Sequence, residues 1–136
     1  MTKYLIAYIA TLVVFLAIDM IWLGLVAKSF YAEQLGNLKA DTVRYGVAVG
    51  FYCMYVVGIV LFAIKPALAS PSPMITALSL GAAFGFFCYA TYDLTNLAVL
   101  RDWPVKMSIV DIIWGACVTG VSAAAGLWLT RAIATH

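Results

Sequence analysis

Apolar and polar positions divide this chain into four long apolar blocks separated by three short polar breaks. The blocks run from about Tyr4 to Ala27, Tyr45 to Ile64, Met74 to Leu100 and Val105 to Thr130. A helix rises about 1.5 Å per residue, so about twenty residues cross an apolar layer of about 30 Å. The expected fold class is therefore all-α and integral to a membrane. It is a single four-transmembrane-helix bundle over residues 1–136, with a short interfacial segment between helices one and two.

The breaks carry the turn chemistry. The first, KSFYAEQLGNLKADTVR, holds most of the charge, but Phe30, Tyr31, Leu35 and Leu38 interrupt it. Those residues fit a segment lying at the membrane surface on its aromatics, and an ordinary solvated loop is the alternative. In the second break, Lys65-Pro66 and the Ser-Pro-Ser-Pro run at 70–73 punctuate the chain, because proline lacks an N–H and restricts its predecessor. The third is the tight turn Arg101-Asp102-Trp103-Pro104, with Pro104 suited to a helix start.

Composition agrees with this pattern. Of 136 residues, 65% are hydrophobic and 10% charged, against about 25% charged in soluble domains. A net charge of +2, with scattered basic residues, gives no nucleic-acid surface. Cys53, Cys88 and Cys117 show no C-x-x-C spacing, and the sole histidine is the last residue, His136. No metal site and no cofactor are expected, and the cysteines read as small packing residues. The first block is too long for a signal-peptide core and contains Asp19, so it is expected to remain as a span.

Lysine and arginine in short loops set orientation. Lys28, Lys39, Arg44, Arg101 and Lys106 flank the first and third breaks, against Lys3, Lys65 and Arg131 on the other side. This places those two breaks in the cytoplasm and both termini on the outer face.

Three aspartates are anomalous in such a chain, because a carboxylate near a helix centre in a bilayer costs at least about 2.5–3.5 kcal/mol. Asp19 lies nine residues before Lys28, Asp93 eight before Arg101, and Asp111 five after Lys106. Those separations correspond to about 13, 12 and 8 Å from the same membrane face. Three carboxyl groups from three helices thus share one thin slab and predict one polar pocket.

Helical spacing gathers other groups near them. Tyr89, Asp93 and Asn96 follow i, i+4, i+7 with Tyr92 beside them, and Thr91 and Thr95 form a neighbouring stripe. Asp19-Met20-Ile21-Trp22 and Asp111-Ile112-Ile113-Trp114 repeat one pattern, which puts Trp22 and Trp114 each on its own aspartate's face. Asp19, Trp22, Tyr89, Tyr92, Asp93, Asn96, Asp111 and Trp114 are the candidate ligand-binding residues. Tyrosine, threonine, asparagine and indole donors can satisfy a carboxylate without a cation. Such a cluster fits a proton relay, a cation site or recognition of a polar head group. Equally, it fits helices glued by polar contacts and aromatic packing.

Gly46-x-x-x-Gly50, Gly81-x-x-x-Gly85, and Gly120 with Ala124 would let backbones approach closely, and they also allow self-association into a homo-oligomer. A faint echo pairs Phe15 with Tyr89 and Leu23 with Leu97 when Asp19 is set on Asp93. Chance explains it as well as a duplicated hairpin does.

The run Y-A-T-Y-D-L-T-N-L-A at 89–98, R-D-W-P at 101–104, V-D-x-x-W-G at 110–115 and L-A-I-D-M-I-W-L-G-L-V-A-K at 16–28 resembles a family of small bacterial membrane proteins, domain of unknown function 2177. The resemblance covers nearly the whole chain. It implies a bacterial inner-membrane location and genes lying near lipid-modifying enzymes of the cyclopropane-fatty-acid type, and it carries no catalytic residue onto this chain. Three functions stay open. The first is binding of membrane lipid or another amphiphile near the cytoplasmic leaflet. The others are proton- or cation-coupled transport by an oligomer, and a structural role in membrane assembly. No nucleophile–base pair or cofactor fingerprint separates them.

Overall fold

The computed structural model describes residues 2–38 and 44–134, all of whose regular elements are helical. Helix α1 covers Thr2–Ile21 and widens into a π-turn at Trp22–Val26. Helix α2, Lys28–Leu35, occupies the first break and ends in a 3₁₀ turn, Gly36–Leu38. The second span comprises α3 (Tyr45–Ile59), a π-turn (Val60–Ile64) and α4 (Lys65–Leu68). Helices α5 (Pro73–Val99) and α6 (Val105–Ala134) complete four helices long and apolar enough to cross a membrane. Lys39 and His136 lie outside the described residues.

The second helix does not stop at Ile64, as its proline suggested, but continues to Leu68. Pro66 has no N–H to donate and its ring crowds the preceding turn. The π-turn just before it, closed by Lys65 N–H to the Val60 carbonyl, widens that turn and absorbs the misfit. The fourth helix likewise runs four residues past Thr130, to Ala134.

Helix α6 is the axis of the bundle, packed on α5 along one side and on α1 along another. The α5–α6 contact depends on glycine. A methyl group at Gly85 would strike the Gly115 carbonyl and the Thr119 side chain, and one at Gly115 would enter the Tyr89 ring. These backbones approach as small-residue motifs permit. The Gly46-x-x-x-Gly50 pair does not pack in this way: both residues face open space, with no atom within 4 Å of an added methyl. The core includes Phe15, Val56, Ile59, Ile64, Val118 and Leu127. Outside it the large apolar side chains are bare, as at Leu25 (81% exposed), which suits a surface solvated by lipid.

The second span is only half docked. Its Val60–Leu68 part packs against α5, while α3 meets α5 near its own C-terminal end through Tyr55, which contacts Phe84 and Tyr89. Toward the end of the bundle carrying the first and third breaks, α3 stands away from α5. Phe51 and Tyr92 are exposed on the two sides of that gap.

Candidate functional site

Behind the gap lies a cavity of about 820 Å³ whose lining includes Asp19, Asp93 and Asp111. Its size falls in the ordinary range for small-molecule sites. The α1, α5 and α6 helices supply the carboxyl groups, α3 supplies Phe51, Tyr52 and Tyr55, and α2 closes the end with Lys28, Tyr31 and Leu35. Tyr55 forms part of the floor, its hydroxyl 2.7 Å from that of Thr119.

Asp19 is 4% exposed and fully engaged. Tyr52 donates its hydroxyl to Oδ2, and the indole N–H of Trp114 donates to Oδ1 at 3.1 Å. Asp111 accepts from the Tyr31 hydroxyl at 2.8 Å, and that hydroxyl oxygen accepts from the Trp22 indole at 3.2 Å. Burial pushes the Tyr31 phenol well above its ordinary value, and the neighbouring Asp111 charge pushes it further. Tyr31 is therefore a persistent donor.

Asp93 differs from both. It is 1% exposed, its Oδ2 is buried without a hydrogen-bond partner, and its side-chain neighbour is the carboxyl group of Asp111. The donors expected to converge on Asp93 from its own helix go elsewhere. The Thr91 hydroxyl binds the Phe87 carbonyl at 2.6 Å, and Thr95 is exposed. Adjacent residues on a helix diverge by about 100°, so a polar run such as Tyr89–Asn96 cannot point at one place.

Of the eight residues singled out from sequence, Asp19, Trp22, Tyr89, Tyr92, Asp93, Asp111 and Trp114 line this one cavity. Asn96 does not: it lies beside the Tyr92 hydroxyl and outside the lining. Neither tryptophan hydrogen-bonds its own helix's aspartate. Trp114 of α6 serves Asp19 of α1, and Trp22 of α1 serves Tyr31. The two indoles stack, 4.2 Å between centroids, and also wall a second, apolar groove of about 340 Å³ with Ile18, Ile21 and Val26.

Sequence reasoning passed over Tyr52 as a site residue. Its signal was present, since it lies eight residues after Arg44, about 12 Å deep and level with Asp93. In the sequence Lys28 marks only orientation and depth, and Tyr31 a surface anchor. The Tyr31–Asp111 bond joins residues 80 apart in sequence, and no local spacing reports it. Cys53, Cys88 and Cys117 are free, and among the described residues no three metal-ligating side chains gather.

Four apolar helices around an open cavity that carries three carboxyl groups define an integral membrane protein with a pocket. Residues 4–128 match the model of the predicted membrane protein family DUF2177, and the chain belongs to that family. No curated protein and no solved structure matches it.

Proposed function

We propose that this protein binds a lipid or other amphiphile, its polar part among the carboxyl groups and its apolar part toward the bilayer. The observation carrying this reading is the continuity of the cavity. One space joins the buried Asp19 and Asp93 and the half-buried Asp111 to the exposed Phe51 and Tyr92 at the α3–α5 gap. A solute arriving from water needs no sideways opening between two lipid-facing helices. An amphiphile does, because its tails can remain in hydrocarbon while its head group finds donors and acceptors. By the balance of basic residues we place the pocket toward the cytoplasmic leaflet of a bacterial inner membrane. Photocrosslinking with a diazirine-bearing phospholipid, followed by peptide mapping, tests the reading. Adducts should concentrate on peptides containing Phe51–Tyr55 and Cys88–Tyr92. Uniform labelling of all four lipid-facing surfaces would refute it.

The Asp93–Asp111 carboxyl pair favours a second reading, proton- or cation-coupled transport, since two adjoining carboxyl groups can hold a proton or a cation between them. A pH-jump flux assay in liposomes, comparing the intact protein with Asp93→Asn, tests it. Equal background flux in both removes it.

A further inference from the structure

We infer that the amphiphile is an aminophospholipid, with its primary ammonium at Asp93 and Asp111 and its phosphate at Lys28. This inference rests on the lipid-binding reading and adds the class of head group.

The charge balance of the lining is the first argument. Among the described residues three carboxyl groups line the cavity against one lysine, Lys28. Among the described residues the bonds to Asp19 and Asp111 come from neutral tyrosine and indole groups. A positive group would complement this lining, and among the described residues none is paired with these carboxyl groups.

The pattern of satisfied oxygens sharpens the choice. Asp19 has a donor on each oxygen and Asp111 has one from Tyr31, whereas Oδ2 of Asp93 is buried with none. A primary ammonium brings three N–H donors to such an acceptor. A trimethylammonium brings charge but no donor, and a glycerol head group brings hydroxyls without the positive charge.

Lys28 explains the other half of the head group. It opens α2 at the end of the cavity, is exposed, and among the described residues is the one positive charge of the lining. A phosphate there would be kept from the aspartates while the ammonium reaches them. Acyl chains would leave through the Phe51–Tyr92 gap.

Native mass spectrometry of the full chain in detergent tests this, adding dioleoyl phosphatidylethanolamine, phosphatidylcholine and phosphatidylglycerol separately. Phosphatidylethanolamine should be retained about tenfold more than either of the others, as expected for one added charge-assisted contact. Asp93→Asn should erase that preference and Lys28→Gln should lower retention of all three lipids, which share the phosphate, while Glu33→Gln on the exposed face of α2 should leave both intact. Equal retention of the three lipids by the wild-type protein overturns the head-group assignment, with no variant needed. If all three are nevertheless retained and compete with one another, the lipid-binding reading survives that result. If none is retained, both fall. Displacement of bound lipid by an equal concentration of soluble ethanolamine phosphate would overturn the lipid as the source of the head group.

Discussion

Trp22 and Trp114 stack with their rings 9° from parallel, and each indole N–H points toward the carboxyl group borne by the other's helix. Trp114 reaches Asp19 directly, whereas Trp22 reaches Asp111 through the Tyr31 hydroxyl. The α1–α6 contact thus closes on a crossed pair of polar links with an aromatic pair between them. Offset or stacked aromatic pairs contribute about 0.5–1.5 kcal/mol beyond area burial, so packing and hydrogen bonding are comparable here.

The crossing makes the two tryptophans unequal. Trp114→Phe keeps a stacking ring but leaves Oδ1 of Asp19 without a donor, and should cost about 1–2 kcal/mol. Trp22→Phe withdraws a bond only from the neutral Tyr31 oxygen and should cost under about 1 kcal/mol. Equilibrium unfolding in mixed micelles measures both. The double variant should depart from the sum of the singles, since the rings touch.

Depth counting, applied to the tryptophans as well as the aspartates, makes this pairing legible where helix-face counting does not. Trp114 lies eight residues after Lys106, about 12 Å deep, level with Asp19. Trp22, six before Lys28, is about 9 Å deep, level with Asp111. Antiparallel helices meet at equal depth, so each tryptophan meets the other helix's carboxyl group. The i, i+3 rule identifies neighbours on one helix surface and is silent on which partner lies across an interface. The four spans were legible for a simpler reason, because runs of twenty apolar residues have few other uses. Half of the second span's docking was not legible, as nothing in Tyr45–Ile59 marks it as standing off α5.

Glycine gives a sharp contrast between two identical motifs. Gly85→Ala pushes a methyl group into the Gly115 carbonyl and Thr119, in the most extensive helix contact of the bundle. It should destabilise by about 1–3 kcal/mol, the usual cost of overpacking. Gly50→Ala meets open space, and it should change stability by no more than about 0.5 kcal/mol, with its helix propensity improved. Thermal unfolding of the two variants in one detergent checks the difference. Equal losses would mean that the α3 face is covered in solution.

Tyr31 should resist alkaline titration. Ordinary phenols ionise near about pH 10, and burial with Asp111 holds Tyr31 above that. Subtracting the tyrosinate absorbance of Tyr31→Phe from that of wild type isolates this residue. The difference should be flat through about pH 10. The raised value also sets a sign for stability. Above about pH 10 the unfolded chain releases a proton that the folded protein keeps, so stability falls as pH rises. Tyr31→Phe should show a shallower alkaline loss than wild type.

Cys88 offers a direct reading of cavity occupancy, because it is the one of the three thiols that lines the cavity. Cys117 is exposed on the outer face of α6 and Cys53 is half-buried on α3, so both must be removed to leave a single reporter. In the Cys53→Ser, Cys117→Ser background, an apolar maleimide should reach Cys88 through the Phe51–Tyr92 gap. A long-chain amphiphile filling the cavity should slow this modification in proportion to the occupied fraction, so a tenfold slowing corresponds to about nine-tenths occupancy. Tyr92→Trp narrows the gap and should slow labelling even without added amphiphile. A labelling rate indifferent to both changes would mean that the thiol is reached by another route, and that the gap between α3 and α5 is not the cavity's entrance.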